Sequence, residues 1–271
     1  MHVFDHVFTL SSCETLHAAA SMRGLGHTLF TRGEPRSPLE CAIDSFLLEL
    51  GDQDPRYVEY WSRQEWKHIE AHADMDEVLA AREGIFQYPE SAHVLYLKVG
   101  PRVRGPTCIW EPNGDDGFGG ALTTVPAVQG RVVRFPGTLQ HAVPRPVDVW
   151  LTPFAIHQAG SPQDYVRSVV LFNTWQHPPM GLDGNGDGSL DERTAALANP
   201  RAQWQNQIIT PCGSSVSCAP SQMKIWLLGD AARRQRPERT LIKNVDAEAL
   251  LRALSEQEVC TRLQALESPC G

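Results

Sequence analysis

The pattern of apolar positions predicts a first helix over residues 37–50. Ser37 can cap this helix, Pro38 suits its first helical position, and Glu40 completes a capping box. Gly51 then ends it. The apolar face is formed by residues at helical spacing, which are Leu39, Ile43, Phe46 and Leu47. We expect this face to cover a β-sheet.

Between residues 57 and 175 the pattern changes to short extended runs of Val, Ile, Tyr, Phe and Trp, separated by Gly, Pro and Asn. Such runs predict a mainly β fold with flanking helices, built as a sandwich or barrel. A jelly roll (a double-stranded β-helix, cupin-like) is the arrangement that suits a central metal site. The predicted strands are Ala92–Val99, Pro106–Glu111, Gly130–Phe135, Val147–Pro153 and Val166–Trp175.

The remaining chain predicts a core at 1–180 with N-terminal helical support, followed by an extension at 181–271. Gly, Pro, Ser and Asn dominate residues 176–220 and predict a long loop. After it, Met223–Leu228 resembles a strand and Asp246–Glu267 an amphipathic helix. A piece of about 70 residues is marginal as an independent domain, so we expect it to pack on the core.

Composition excludes several classes of protein. The 271 residues are 42% hydrophobic and 21% charged, as in an ordinary globular protein. The net charge of −8 disfavours nucleic acid, and no apolar run approaches the ~18 residues of a membrane span. The N-terminus lacks the basic start and apolar stretch of a signal peptide, which predicts a cytoplasmic protein. A small-molecule substrate is the preferred partner, and the oligomeric state stays open.

The seven cysteines include no Cys-x-x-Cys pair of the kind used for zinc or redox work. Four of them, at 212, 218, 260 and 270, follow residue 211. Free thiols are the preferred interpretation, and a disulfide between Cys212 and Cys218 is left open.

A His-x-Asp pair, His72 and Asp74, lies at the end of a predicted strand. Residues two apart in an extended chain point to the same face, so both side chains can bind one metal ion. His141, after a Pro-Gly turn, can complete two histidines and one carboxylate, a triad that leaves three positions open on iron. His68 and Glu70 form a competing pair earlier in the same strand.

Arg167 opens the apolar strand that ends at Trp175. A buried arginine is costly unless it is paired, and a bidentate carboxylate is its best partner. Asn173 and Trp175 share the strand face of Arg167 by alternation, so both are candidates to line a pocket. Core packing is an equal alternative for Trp175.

The order of these motifs resembles the 2-oxoglutarate/Fe(II) oxygenase superfamily: His-x-Asp, then Phe-Pro-Gly with a histidine, then an arginine that opens an apolar strand. A group of algal and plant oxygenases is similar in more detail. The resemblance covers about residues 57–180, less than half of the chain. The matching segments are Trp66–Glu77, Tyr96–Leu97, Gly105–Thr107, His141–Pro144 and Arg167–Trp175.

The resemblance implies a double-stranded β-helix with Fe(II) bound by His72, Asp74 and His141. It also implies 2-oxoglutarate as co-substrate, with its distal carboxylate on Arg167. O2 would be the oxidant, and ascorbate is a compatible reductant. The implied reaction converts 2-oxoglutarate to succinate and CO2 while a substrate is oxidised. Because Asp74 is present rather than Gly or Ala, the resemblance favours hydroxylation, desaturation or cyclisation over halogenation.

One position departs from the superfamily pattern. The residue two after the arginine is often a hydroxyl residue in this superfamily, but here it is Val169. A further hydrogen bond to the distal carboxylate must therefore come from another position, and Tyr96 on a central strand is the candidate.

Two other classes of function stay open. The same triad in a jelly roll could hold another divalent metal without redox chemistry, as in an isomerase, and would not need Arg167. Residues 183–194 begin like a calcium loop, with Asp183 and Asp187 in place, but Thr194 stands where the bidentate glutamate belongs. The loop at 111–120 is a candidate substrate lid.

Overall fold

The computed structural model describes residues 1–23, 26–52, 55–67, 69–103, 105–110, 122–143 and 161–182, and the backbone of four later strands. Three helices are described: α1 at Leu10–Ser21, α2 at Pro38–Glu49 and α3 at Glu77–Glu83. No helix in these ranges is both long and apolar enough to cross a membrane.

The early strands are β1 at His2–Asp5, β2 at Thr28–Thr31, β3 at Tyr57–Glu65, β4 at Ile69–His72 and β5 at Ser91–Val99. They are followed by β6 at Thr107–Trp110, β7 at Leu122–Val125, β8 at Val132–Pro136, β9 at His141–Val143 and β10 at Val166–Trp175. The late strands are β11 at Gln205–Ile208, β12 at Gln222–Leu228, β13 at Arg239–Asp246 and β14 at Thr261–Leu263.

The described strands form two sheets of seven, and nearly all neighbouring pairs among them are antiparallel. The order in the first sheet is β11-β1-β8-β5-β10-β3-β2. In the second sheet it is β13-β12-β4-β9-β6-β7-β14, with β12 parallel to β4. Neighbouring strands are often distant in sequence. The mainly β character predicted from short strand runs is therefore confirmed.

Apolar side chains cover both faces of the first sheet. One face packs against α1 and α2, through Leu16, Phe46 and Leu47 of the helices and Leu95 and Phe172 of the sheet. Burying such side chains is the main stabilising term of the fold, roughly 1.5–3 kcal/mol for each large one. The prediction that the α2 segment covers a sheet is confirmed.

The opposite face of the first sheet contacts the second sheet. Val94, Tyr96 and Val169 of the first sheet are buried in one cluster with Ile109 and Val125 of the second. The two sheets thus enclose an apolar layer, and polar side chains that point into it are shielded from water. This layer is where the candidate chemistry lies.

Most of the predicted elements are present with small shifts in their ends. The helix predicted over 37–50 is α2, and the side chain of Ser37 accepts a hydrogen bond from the Glu40 backbone, as expected for its cap. The predicted strands correspond to β5, β6, β8, β10 and β12. The strand predicted at Val147–Pro153 lies outside the described residues.

Two predictions for the extension are wrong in part. The loop predicted over 176–220 contains strand β11, which pairs with β1. The helix predicted over 246–267 does not extend through its last turns, because 261–263 form β14 against β7. Both strands are too short to show a period of their own, and their pairing partners lie far away in the sequence. Residues 111–120 and 183–194, the candidate lid and calcium loop, lie outside the described residues.

Candidate metal centre and adjoining cavity

The pairing of two short strands brings the predicted triad together. His72 ends β4 and lies directly opposite His141, which begins β9. Asp74 follows β4 by two residues. Its Oδ1 lies 3.5 Å from His72 Nε2, and its Oδ2 lies 3.8 Å from His141 Nε2. One donor atom of each residue lies within 4.8 Å of the others.

Backbone carbonyls orient both imidazole rings. His72 Nδ1 donates to the Glu70 carbonyl at 2.7 Å, and His141 Nδ1 lies 3.3 Å from the Leu139 carbonyl. A carbonyl can only accept, so Nδ1 of each ring carries a proton, and Nε2, which faces Asp74, is the nitrogen that can bind a metal. Two nitrogen donors and one carboxylate oxygen suit a divalent transition metal.

Asp74 is held as an anion. Burial alone would raise the pKa of its carboxyl group, but His141, His72 and Asn173 together lower that pKa well below its usual range. Asn173 contributes by donating from Nδ2 to Asp74 Oδ2 at 3.2 Å. The ionised form is the one that binds a metal.

Arg167 is 3% exposed and lies beside Tyr96. Its Nε donates to the Gly105 carbonyl at 3.1 Å, and its Nη2 donates to Thr107 Oγ1 at 3.4 Å. The guanidinium carbon stands 5.1 Å from the centre of the Tyr96 ring. The hydroxyl groups of Tyr96 and Thr107 share a hydrogen bond of 2.6 Å. We call Arg167, Tyr96 and Thr107 the arginine cluster.

No carboxylate of the described residues pairs with Arg167, although ion pairs are found for several other arginines. Burial lowers the pKa of Arg167, but an arginine stays charged in proteins. The arginine cluster therefore presents a buried positive charge with two hydroxyl groups beside it. That arrangement matches the needs of a carboxylate.

Strand β6 connects the arginine cluster with the triad, because it carries Thr107 and pairs with β9. Ile109 of β6 is directly opposite His141. Thr107 is two residues earlier in β6, so it points to the same side, about 7 Å along the strand. Thr107 of the arginine cluster therefore lies one strand repeat from the residue that pairs with His141.

A cavity of about 430 Å³ opens beside the triad. Its lining includes His72, Asp74, Asn173, Arg63 and Trp61. Asn173 therefore lines the pocket, as its strand position predicted. Trp175 does not; it is buried in the core, where its Nε1 donates to Glu59 Oε2 at 3.1 Å.

Sequence patterns gave no prediction for β3, which supplies much of this cavity. Glu59, Trp61 and Arg63 alternate along it, so they share one face. That alternation is the signal that could have identified them. Of the competing pair, His68 lies outside the described residues. Glu70 enters the site only through its backbone carbonyl, which accepts from His72.

No protein-family profile matches the chain, and no curated protein matches it. Solved structures do show similarity. A prolyl-4-hydroxylase from Pseudomonas putida is 15% identical with a TM-score of 0.42, over 64% of this chain and 83% of that one. HygX from Streptomyces hygroscopicus with iron bound is 16% identical with a TM-score of 0.39, over 70% and 90%. A 2OG-Fe(II) oxygenase family oxidoreductase from Burkholderia pseudomallei is 14% identical with a TM-score of 0.33, over 60% and 78%. At such remote similarity, the function has to be argued from the side chains of this chain.

Proposed function

We propose that the protein is a non-haem Fe(II)- and 2-oxoglutarate-dependent oxygenase with a jelly-roll core. The observation that carries the proposal is a buried arginine without a carboxylate partner among the described residues, beside a His-Asp-His triad. Arg167 contacts Thr107, which lies two residues along β6 from the residue opposite His141. A metal site alone would fit many functions. The nearby buried cation adds the requirement for an anionic ligand within reach of the metal.

His72, Asp74 and His141 would hold the iron. Their donor atoms lie close together, both imidazoles offer Nε2, and Asp74 is ionised. A triad of this composition leaves positions open for co-substrate and oxygen, unlike a closed structural site. When bound, iron would supply the redox chemistry that couples O2 to the oxidation of 2-oxoglutarate and the substrate.

The arginine cluster would hold the distal carboxylate of 2-oxoglutarate. Arg167 supplies the charge, and the hydroxyls of Tyr96 and Thr107 are close enough to donate to the same group. The chain has Val169 where the superfamily often has a hydroxyl residue. Thr107 compensates for this, because it places a hydroxyl beside the guanidinium from a different strand. Val169 itself is buried in the apolar layer.

Asn173 would act as a positioning residue. Its amide donates to Asp74, which fixes the carboxylate beside the two imidazoles. Phe135 packs on His141 with ring centres 5.0 Å apart and keeps water from that side of the ring. The product set we propose is succinate, CO2 and a hydroxylated, desaturated or cyclised small molecule.

Anaerobic addition of Fe(II) and then 2-oxoglutarate to the purified protein tests the proposal. We expect the weak visible charge-transfer band of an iron-bound 2-oxo acid. His72→Ala and Asp74→Ala should each lose stoichiometric iron and the band, whereas the exposed His177→Ala should keep both. Bound metal with no band would contradict the proposal and favour a metalloenzyme without redox chemistry.

A further inference from the structure

We propose that the substrate is a small organic anion whose charged group pairs with Arg63, in the cavity beside the triad. The inference rests on the proposed function and narrows its substrate class. Arg63 lies on β3, on the same side as Trp61, and lines the cavity together with His72 and Asp74. A molecule bound to Arg63 would therefore lie next to the metal position.

The guanidinium of Arg63 has no hydrogen bond or ion pair with any residue in the described ranges, although its backbone lies in the β3–β10 pairing. It is only partly exposed, and burial together with the charge of Arg167 lowers its pKa, although Asp74 opposes this effect. A guanidinium loses hydration in such a position, and protein structures usually compensate with a carboxylate or another anion. Asp74 offsets part of this cost without forming an ion pair, and a bound anion would supply the missing partner.

The buried carboxylates around the cavity are engaged elsewhere. Glu59 accepts from Trp175 through one oxygen, and its other oxygen lies 2.6 Å from His27 Nδ1. The two oxygens of Asp76 accept from the backbone of Leu79 and Met180, at 2.8 and 2.6 Å.

Asp74 is the remaining buried carboxylate of the cavity, and it faces the imidazoles and Asn173. It belongs to the proposed metal site. None of these three carboxylates forms an ion pair with Arg63, so its positive charge remains available to a bound molecule.

The co-substrate does not need Arg63. Its distal carboxylate would be taken by Arg167, which is not among the residues that line the cavity. Its other carboxylate would lie at the metal. A second basic group on the cavity side therefore indicates a second anion.

Asn173 offers the same molecule a hydrogen-bond acceptor. Its Nδ2 donates to Asp74, which leaves Oδ1 buried and without a hydrogen-bond partner within the described structure. Asn173 also lines the cavity. An organic anion with a hydroxyl or amine group near the metal would satisfy both Arg63 and Asn173.

Ligand-observed NMR with the Zn(II)-loaded protein and saturating 2-oxoglutarate provides the test. The probes are benzoate and its neutral analogue benzamide. We expect the parent to prefer benzoate, and Arg63→Gln to weaken benzoate by roughly tenfold or more, as for a lost charge-assisted hydrogen bond. Benzamide should bind the two proteins alike. Arg56→Gln, which removes an exposed arginine from the residue just before β3, is the matched control and should change neither probe.

Two results would overturn the inference. One is equal binding, or no binding, of both probes to the parent and to Arg63→Gln. The other is a loss of 2-oxoglutarate affinity in Arg63→Gln with benzoate unchanged, which would assign Arg63 to the co-substrate. A parent that fails to bind 2-oxoglutarate but binds benzoate through Arg63 would keep the anion site and reject the proposed oxygenase.

Discussion

Two arginines in this protein are almost equally buried but differ in their partners. Arg131 is 2% exposed and forms a bidentate pair with Asp5, at 2.6 and 3.0 Å, while it also donates to the Pro126 carbonyl. Arg167 is 3% exposed and has a carbonyl, a threonine hydroxyl and an aromatic face, but no described carboxylate. The first arginine has its carboxylate partner within the fold. The second has no carboxylate partner in the described part of the chain, and this is why we propose a ligand for it.

The difference teaches how a binding arginine is recognised. A buried charge costs several kcal/mol of desolvation unless a partner offsets it. Asp5 provides that offset for Arg131 and joins β1 to the start of β8. The guanidinium of Arg167 is only partly solvated, by the hydroxyls of Tyr96 and Thr107 and by the Gly105 carbonyl. It therefore still has room to pair with a carboxylate. Burial alone therefore does not identify a functional arginine.

The largest expected effect concerns folding stability. Arg131→Met should lower the free energy of unfolding by about 3–5 kcal/mol, because Asp5 would remain buried without its partner. Arg167→Met should change it by about 1 kcal/mol or less, since no described carboxylate loses a partner. Urea unfolding at equilibrium measures both. Equal destabilisation by the two variants would remove the distinction between them.

A smaller effect is expected at Asn173, which lines the cavity beside the triad. Asn173→Ala removes the amide that donates to Asp74, so we expect metal affinity to fall about 10–100-fold, as for other residues that orient a ligand. Metal titration in competition with a chelator measures this. Thr174→Ala on the same strand, whose hydroxyl donates to the Ser91 carbonyl, is the control and should keep the parent affinity. Unchanged affinity in Asn173→Ala would mean that Asp74 is held without it.

The smallest expected effect concerns the Tyr96 hydroxyl. Tyr96→Phe keeps the ring beneath Arg167 but removes one donor, so we expect the Kd for 2-oxoglutarate to rise a few-fold, consistent with about 0.5–1.5 kcal/mol for one hydrogen bond. Calorimetric titration of the metal-loaded protein measures it. Tyr165→Phe is a control outside the arginine cluster. A Tyr96→Phe protein that binds 2-oxoglutarate like the parent would leave Arg167 and Thr107 as the only anchors.

Sequence patterns predicted the elements with strong periods and the motifs they contain. Helix α2 follows from its cap and apolar spacing, and strand β10 from its long apolar run. The meeting of His72 with His141 could only be expected from the family resemblance, because it depends on the pairing of β4 with β9. Side-chain alternation along a strand shows which residues share a face, but not which strand lies opposite.

The missed features have local causes. Helix α1 at Leu10–Ser21 has many small and polar residues, which leave a weak apolar face. Arg63 lies in a strand that also carries Glu59 and Glu65, so the sequence offers no sign that its charge lacks a partner. In the structure, the carboxylate of Glu59 contacts Trp175 and His27 instead of the guanidinium of Arg63. The cavity is identified by which side chains contact each other in the structure, and the order of the residues in the sequence does not show this.

The most direct test of the central claim compares two 2-oxo acids that differ only at the far end. 2-Oxoglutarate carries the distal carboxylate, and 2-oxopentanoate replaces it with a methyl group. The Kd of each should be measured anaerobically with Fe(II)-loaded parent and Arg167→Gln. We predict that the parent prefers 2-oxoglutarate at least tenfold, and that Arg167→Gln loses this preference while it retains iron. An undiminished preference in Arg167→Gln would contradict the assignment of Arg167 to the distal carboxylate.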